Sequence, residues 1–319
     1  MHRKFYYRFA FVERCMSMGK YLKKIVLCAL ILVMILLGGC GQEEAVQPEL
    51  LFQYKGNYWE IYDLSESAIP DREEFEKLTK EYIKEIQELL GLDQWWKEIN
   101  PDADTLVVTL MITNPEGKKS RAEYCTKGLK NEVETTIVLG GFFLKPGYDG
   151  FLAHELTHVM AGPVFSQSLE EGLCFYVQDS VGVKKTFYPG MRDKGVEYWQ
   201  CFKIYYEHTK EAWESSAGEV YANVTDSIGK EGRGYDFSGQ ARTVWQWYCE
   251  SFVRYLMDQY GKEKVLELMD VGENEASYEQ ILGRTLEELR ADWLLYVESI
   301  EQEYTWEEAD AIEEEYFKN

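Results

Sequence analysis

GFLAHELTHVMAGPVFSQSLEEGLC, residues 150–174, contains the pattern H-E-x-x-H at His154, Glu155 and His158. Residues four apart on a helix lie one turn above each other on the same face, so the two imidazoles can bind one metal ion. Glu155 lies about 100° further round the helix, where its carboxylate can hold a metal-bound water without becoming a ligand. The chain has only four histidines, and this favours a metal site over a coincidental pair of core residues.

A third ligand is expected from another element, because catalytic zinc takes three protein ligands and keeps one position for water. Gly162 and Pro163 end the first helix and permit a turn, after which a second helix can run back past the metal. Glu171 on that helix is the leading candidate, and the adjacent Glu170 is an alternative. A structural role also stays open, because Ser168 and Glu171 match a capping box, in which the carboxylate only reaches the start of its own helix.

The segments HELTH and SLEEGLC resemble the gluzincin zinc metallopeptidases (peptidase MA-like, the group of thermolysin and aminopeptidase N). Those enzymes pair H-E-x-x-H with a downstream glutamate in a context such as W-L-x-E-G-x-A. The resemblance implies that His154, His158 and Glu171 bind one Zn²⁺, that Glu155 is the general base, and that a peptide or protein is the substrate. Two features depart from the pattern: only 12 residues separate His158 from Glu171, and Ser168 stands where Trp is common.

The resemblance also implies a Tyr or His that stabilises the oxyanion, located near a C-terminal helix. Tyr248 is the first choice for this donor, with Tyr235 and His208 as alternatives. His208 is the only other histidine beyond the N-terminal segment, and a surface or packing role is favoured for it over a role as donor.

The first 39 residues are predicted to be a bacterial lipoprotein signal peptide. Basic residues at 20–24 precede an apolar run at 25–37, whose 13 residues are too few for a comfortable membrane span. The run ends in Leu-Gly-Gly-Cys, which resembles a lipobox and implies cleavage before Cys40 and a lipid on its thiol. An uncleaved anchor is the alternative. Both readings predict an extracytoplasmic protein attached to the bacterial cell membrane.

The charge of the remaining chain excludes some partners. Residues 1–39 hold seven of the 34 basic residues and one of the 56 acidic ones, so the rest carries a net charge of −28. Such a surface repels nucleic acid and anionic lipid headgroups, which leaves the lipid on Cys40 as the expected membrane contact.

The cysteines leave the disulfide question open. Beyond Cys40 there are four, at positions 125, 174, 201 and 249, so up to two disulfides are possible in an oxidising location. Free buried thiols are the alternative. No C-x-x-C occurs, and a thiolate zinc site is therefore not expected.

The fold is predicted to be α+β, with a zincin-like arrangement implied by the resemblance: a small N-terminal lobe of mixed sheet plus helix, and a mostly helical C-terminal lobe. The expected divisions are a tether at 40–50, a peptidase domain at 51–300 with lobes of about 51–160 and 161–300, and an acidic tail at 301–319 that is helical or frayed.

Local patterns predict the elements within these lobes. The expected elements are a strand within Phe52–Tyr62, a helix opened by Asp71 and ended by Gly91, a strand at Thr105–Thr113 with a returning partner within 118–125, a strand at Glu134–Leu139, a mobile Gly-rich loop at 229–239, and a helix at Arg242–Tyr260 ended by Gly261. A strand at the sheet edge, Thr135–Leu139, is expected to take up an extended peptide by strand addition.

Two other functions stay open. One is a catalytically inactive zincin-fold lipoprotein that acts as a binding module, against which the intact Glu155 argues, since binding alone needs no general base. The other is a zinc amidase acting on cell-wall peptides, which no cell-wall-binding repeat supports.

Overall fold

A computed structural model describes part of the chain, in ranges separated by gaps. The described ranges are 49–54, 59–63, 71–92, 95–112, 121–123, 125–128, 131–140, 150–181, 190–191, 194–196, 200, 202–204, 207, 224–232, 240–301 and 303–316. The predicted signal peptide, Cys40 and nearly all of the tether lie outside these ranges, as do Cys201, His208, Tyr235 and most of the Gly-rich loop.

The described strands form one mixed sheet. They are β1 (Glu49–Tyr54), β2 (Trp59–Asp63), β3 (Thr105–Ile112), β4 (Arg121–Ala122), β5 (Thr126–Lys127) and β6 (Glu132–Leu139). The order is β1-β2-β3-β6-β4, and β5 also pairs with β6. The central strands β2, β3 and β6 are parallel, while β1 is antiparallel to β2 and the two short strands are antiparallel to β6.

Two sequence predictions about the sheet are wrong. The single strand expected within 52–62 is an antiparallel pair, β1 and β2. The segment 118–125 does not return against β3, because β6 occupies that side of β3 in parallel, with Thr105 opposite Glu132. The physical reason is that β6 pairs with β3 along all eight of its residues, which leaves no room for a hairpin partner on that side, and parallel strands such as these are typical of a buried sheet.

The prediction that Thr135–Leu139 is a free sheet edge is also wrong. Ile137 lies opposite Leu110 of β3 on one side and opposite Ala122 of β4 on the other. Its backbone is already paired in both directions, so this strand has no open side at which a peptide can add.

The first helix, α1 (Arg72–Leu90), confirms the predicted boundaries. The Asp71 carboxylate accepts a hydrogen bond from the backbone N–H of Glu74 at 3.0 Å, which is the expected cap. Gly91 ends the helix in the left-handed region with φ of 71°, a conformation that favours glycine. One face of the helix is buried, with Tyr82 and Ile86 fully inaccessible.

The rest of the described chain is helical, so the predicted α+β class is confirmed, with helix predominating over a small mixed sheet. The further helices are α2 (Gly150–Ala161), α3 (Gln167–Ser180), α4 (Gln240–Tyr260), α5 (Lys262–Val271), α6 (Ala276–Leu282), α7 (Leu286–Ser299) and α8 (Trp306–Tyr316). Gly261 ends α4 as predicted, with φ of 82°. None of the described helices is both long enough and apolar enough to cross a membrane.

The acidic C-terminal segment is a docked helix rather than a frayed tail. In α8 the carboxylate of Glu313 accepts a hydrogen bond from the backbone N–H of Met191 at 2.7 Å. Ala309 of the same helix is buried in a small apolar cluster with Met191, Val196 and Ile204. Packing against this cluster stabilises α8, because it buries the apolar face of an otherwise acidic helix.

Helices α3 and α4 pack unusually closely at Gly172. A Cβ placed there would lie 2.3 Å from the carbonyl oxygen of Cys249 and 2.6 Å from a methyl of Val253. Further along, the Arg254 guanidinium lies 3.4 Å from the Asp179 carboxylate. Gly172 contacts Cys249, and the later residue Asp179 contacts the later residue Arg254. The two helices therefore run side by side and parallel.

Replacement of Gly172 by Ala should therefore destabilise the protein. Ala favours a helix over Gly by about 1 kcal/mol, but the added methyl group meets backbone atoms that cannot rotate away. We expect the free energy of unfolding to fall by about 1–3 kcal/mol, measured by denaturant unfolding. Glu81→Ala on the exposed face of α1 is the control, and a Gly172→Ala protein as stable as this control would contradict the close packing.

Candidate metal centre

Helix α2 carries the two histidines on its buried side. Leu152, Leu156 and Val159 fix its rotation by burying an apolar face in the main core. His154 is buried and His158 nearly so. Their Nε2 atoms lie 3.2 Å apart, so the two rings point at a common position.

Glu171 of α3 approaches that same position. Its carboxylate oxygens lie 3.5 Å from His154 Nε2 and 3.9 Å from His158 Nε2. Zn–N and Zn–O bonds of about 2.1 Å place tetrahedral ligands about 3.4 Å from one another, close to the separations observed. The structure thus brings together the three donors that the sequence predicts.

The capping-box interpretation of Glu171 is wrong. Ser166, not Ser168, stands at the N-cap of α3. The Ser168 hydroxyl lies inside the helix and accepts a hydrogen bond from the backbone N–H of Gly229 at 2.7 Å. Glu171 is therefore not engaged at the start of its own helix, and its carboxylate lies between the histidines.

Glu170 contacts the ring of His158, whereas the sequence left it open as an alternative third metal ligand. Its carboxylate lies 3.0 Å from Nδ1 of His158, on the far side of the ring from the Nε2 that faces His154. A carboxylate in this position fixes the tautomer and orientation of a metal-binding histidine and raises its basicity. Glu170 is thus suited to position His158 rather than to bind the metal, a role signalled in the sequence only by its place beside Glu171.

His154 is held by packing instead. Its ring centroid lies 4.4 Å from that of Phe175, one helical turn after Glu171. Its Nδ1 atom is buried and has no hydrogen-bond partner within the described ranges. The two histidines therefore differ in support, since one is held by a carboxylate and the other by an aromatic ring.

Cys174 is a neighbour of the histidines that the sequence did not lead us to expect. Possible ligand atoms of His154, His158 and Cys174 all lie within 4.8 Å of one another. Burial raises the pKa of the Cys174 thiol to about 12, although the interactions with His158 oppose the rise. The sequence feature that could have indicated this position is that Cys174 follows Glu171 by three residues, a spacing that places the two side chains on one side of α3.

The site concentrates negative charge in a buried location. Glu155, Glu170 and Glu171 are 4%, 5% and 9% exposed. Buried carboxylates are costly unless they are hydrogen-bonded, paired with a cation or bound to a metal. Two imidazoles and the Glu171 carboxylate are a donor set that fits a divalent zinc ion, and Glu170 lies behind one of the imidazoles.

The pKa shifts at the site agree with this demand for positive charge. Burial alone would raise the pKa of Glu171, yet the hydrogen bond from His154 and the charge on His158 lower it from 4.5 to about 2. Burial alone would lower the pKa of His158, but its contacts with Cys174 and with two carboxylates raise it well above 6.5. Without metal, a proton on His158 supplies part of the missing charge.

Tyr248 does not share the described contacts of the histidines. It is fully buried, with its ring edge-on to Phe202 at 4.4 Å between centroids and 5.9 Å from Trp293. Its role as oxyanion donor stays a prediction. The alternatives Tyr235 and His208 lie outside the described residues.

The described cysteines are not paired. Cys125, Cys174 and Cys249 are free thiols, the last two fully buried. Of the two interpretations of the sequence, free thiols describe these three, with Cys125 half-buried, whereas Cys201 lies outside the described ranges.

Comparison with known proteins returns nothing: no family model, no curated protein and no solved structure matches this chain. The gluzincin resemblance therefore rests on the motif residues of the sequence.

The pKa shifts predict an optimum in the stability of the metal-free protein. The Glu171 contribution is present above pH 4.5 and is lost as pH falls toward about 2, because its pKa is lowered on folding. The His158 contribution is present below pH 6.5 and is lost as pH rises through the raised folded pKa. We therefore expect this pair to stabilise the metal-free chain most between pH 4.5 and 6.5.

Denaturant unfolding of the metal-free full chain across this range checks the expectation, with His158→Gln as the variant that should lose the decline at higher pH. Zinc must displace the proton from His158, so zinc affinity should rise with pH where metal-free stability falls. A zinc affinity that does not change with pH above 6.5 would contradict the assignment of His158 as a zinc ligand.

Proposed function

We propose that this protein is an extracytoplasmic zinc metallopeptidase of the gluzincin type, with a zincin-like fold. The observation that carries the proposal is the convergence of His154 Nε2, His158 Nε2 and the Glu171 carboxylate, all within 3.9 Å of one another. Attachment to the bacterial membrane through a lipid on Cys40 is part of the proposal and stays a prediction from the sequence, as does the absence of a nucleic-acid partner.

The proposed reaction is hydrolysis of a peptide bond, with distinct roles for the residues of α2 and α3. Zinc held by the three donors would supply Lewis acidity, which polarises the scissile carbonyl and acidifies a water molecule. Glu155 takes the proton from the attacking water and delivers it to the leaving amine. Glu170 keeps the His158 ring oriented throughout, and Tyr248 is the predicted donor to the oxyanion.

Replacement of Glu155 by Gln tests the proposal most directly. The change keeps the size of the side chain but removes its basicity, so zinc content should be unchanged while turnover falls by about 10²–10⁴-fold. Metal analysis of the purified full chain and an assay on a mixture of peptides provide the two measurements. His158→Ala should lose zinc as well as activity, and Glu81→Gln on the surface of α1 should lose neither. Retained turnover in Glu155→Gln would remove Glu155 from the mechanism.

Cys174 favours a second candidate, a binding protein with a structural zinc ion. Four protein ligands close a zinc site, and closed sites are structural because no position remains for water. If the thiolate of Cys174 joins His154, His158 and Glu171, the site becomes closed in this sense. The raised pKa of the free thiol opposes this outcome, because the metal must first displace a firmly held proton.

Cobalt substitution separates the two candidates. A thiolate bound to Co²⁺ gives an intense sulfur-to-metal charge-transfer absorption in the near ultraviolet, whereas nitrogen and carboxylate ligands do not. The peptidase proposal predicts no such band in the cobalt-loaded chain, and unchanged metal binding in Cys174→Ala. A band that disappears in Cys174→Ala, together with absence of turnover, would instead establish the closed site.

A further inference from the structure

Arg242 is a cation that the local structure does not explain. It lies in the first turn of α4, and its side chain is exposed. Within the described residues it forms no ion pair or hydrogen bond. A positive charge in the first turn opposes the helix dipole and costs some helix stability. Neither helix formation nor an ion pair therefore accounts for an arginine here.

The packing of α3 against α4 places Arg242 beside the metal centre. Arg242 precedes Cys249 by seven residues, which is two helical turns, about 10 Å, on the same face of α4. Cys249 packs against Gly172, the residue that follows Glu171. The two helices are parallel, and Cα–Cβ bonds tilt toward the helix N-terminus, so the Glu171 side chain extends toward the end of α4 that carries Arg242.

Electrostatics agree with this placement. The Arg242 charge is one of those that help to lower the pKa of the Glu171 carboxyl. The two side chains nevertheless do not pair, and they differ in exposure: Glu171 is 9% exposed, whereas the guanidinium is in contact with solvent. Arg242 is thus an exposed cation whose charge acts on a buried carboxylate of the proposed metal centre.

We propose that Arg242 binds a carboxylate group of the substrate close to the scissile bond. A guanidinium presents its N–H groups as a planar fork that matches a carboxylate with two parallel hydrogen bonds. No described residue pairs with Arg242, so those donors are available with respect to the described part of the chain. In a protein this acidic, an exposed arginine near the proposed metal centre also makes the local field favourable for an anionic group that the acidic surface repels.

The inference rests on the proposed function and adds the substrate class. Two sources can provide the carboxylate: the C-terminus of a short peptide, or the side chain of Asp or Glu next to the scissile bond. The first would make the protein an exopeptidase at C-termini, and the second an endopeptidase for acidic sequences.

Matched substrates distinguish these sources. One pair is an N-blocked peptide with a free C-terminal acid and the same peptide as its amide. The second pair is a longer, amidated peptide with Glu or Gln after the scissile bond. With the zinc-loaded full chain, we expect kcat/KM to be about 10- to 100-fold higher for the carboxylate member of one pair, mainly through a lower KM.

Arg242→Ala should abolish that preference while leaving the rate on the uncharged member and the zinc content unchanged. Arg242→Lys, which keeps the charge but loses the fork, should recover only part of the preference. Lys264→Ala is the matched control, since Lys264 is another exposed cation in the first turn of a helix, α5. An equal loss on both members, loss of zinc, or no loss at all overturns the inference.

A binding measurement keeps this inference separable from the peptidase proposal. Calorimetric titration of the zinc-loaded Glu155→Gln chain with each intact peptide should show the same carboxylate preference, which the further change Arg242→Ala removes. If the peptides show the preference in binding but the parent protein has no turnover, the peptidase proposal is refuted and the proposed role of Arg242 is supported. Turnover without a carboxylate preference would refute the role of Arg242 alone.

Discussion

The burial of three carboxylates beside two imidazoles is the constraint on which the remaining structure depends. Glu170 and Glu171 are withdrawn from water against the histidine rings, and Glu155 is buried on the helix that carries those histidines, an arrangement that costs free energy unless positive charge enters with it. Without metal, a proton on His158 supplies part of this positive charge, and a zinc ion would supply more. Folding, metal binding and protonation are therefore coupled at a single place in the molecule.

The neighbouring elements hold this charge cluster in position. The apolar side of α2 sets the direction of the histidine rings, and the close approach of α3 to α4 at Gly172 sets the position of Glu171 relative to those rings. This rigid contact at Gly172 lies one residue away from Glu171, the proposed metal ligand. A small displacement of α3 would move the carboxylate by a similar amount, and ligand geometry tolerates little of that. Stability and site geometry share the same helix contact.

Local patterns predicted those parts of the structure that depend on neighbours in sequence. The i, i+4 pair of histidines implies its own helix, and Asp71 and Gly91 mark the ends of α1 through contacts within one turn. The order of the strands depends on parallel pairing between distant segments, which no local signal encodes, and so the central position of β6 was missed. The contacts of Glu170 and Cys174 depend on the rotation of α3 about its axis, which only tertiary packing decides.

The docking of α8 has a consequence for the order in which the chain acquires its structure. Met191 and Glu313 are 122 positions apart, yet they share a buried hydrogen bond. During synthesis from the N-terminus, the surface around Met191 emerges from the ribosome long before the helix that covers it. That surface stays incomplete until α8 has been added, so a chain released before α8 would display an uncovered apolar patch to proteases.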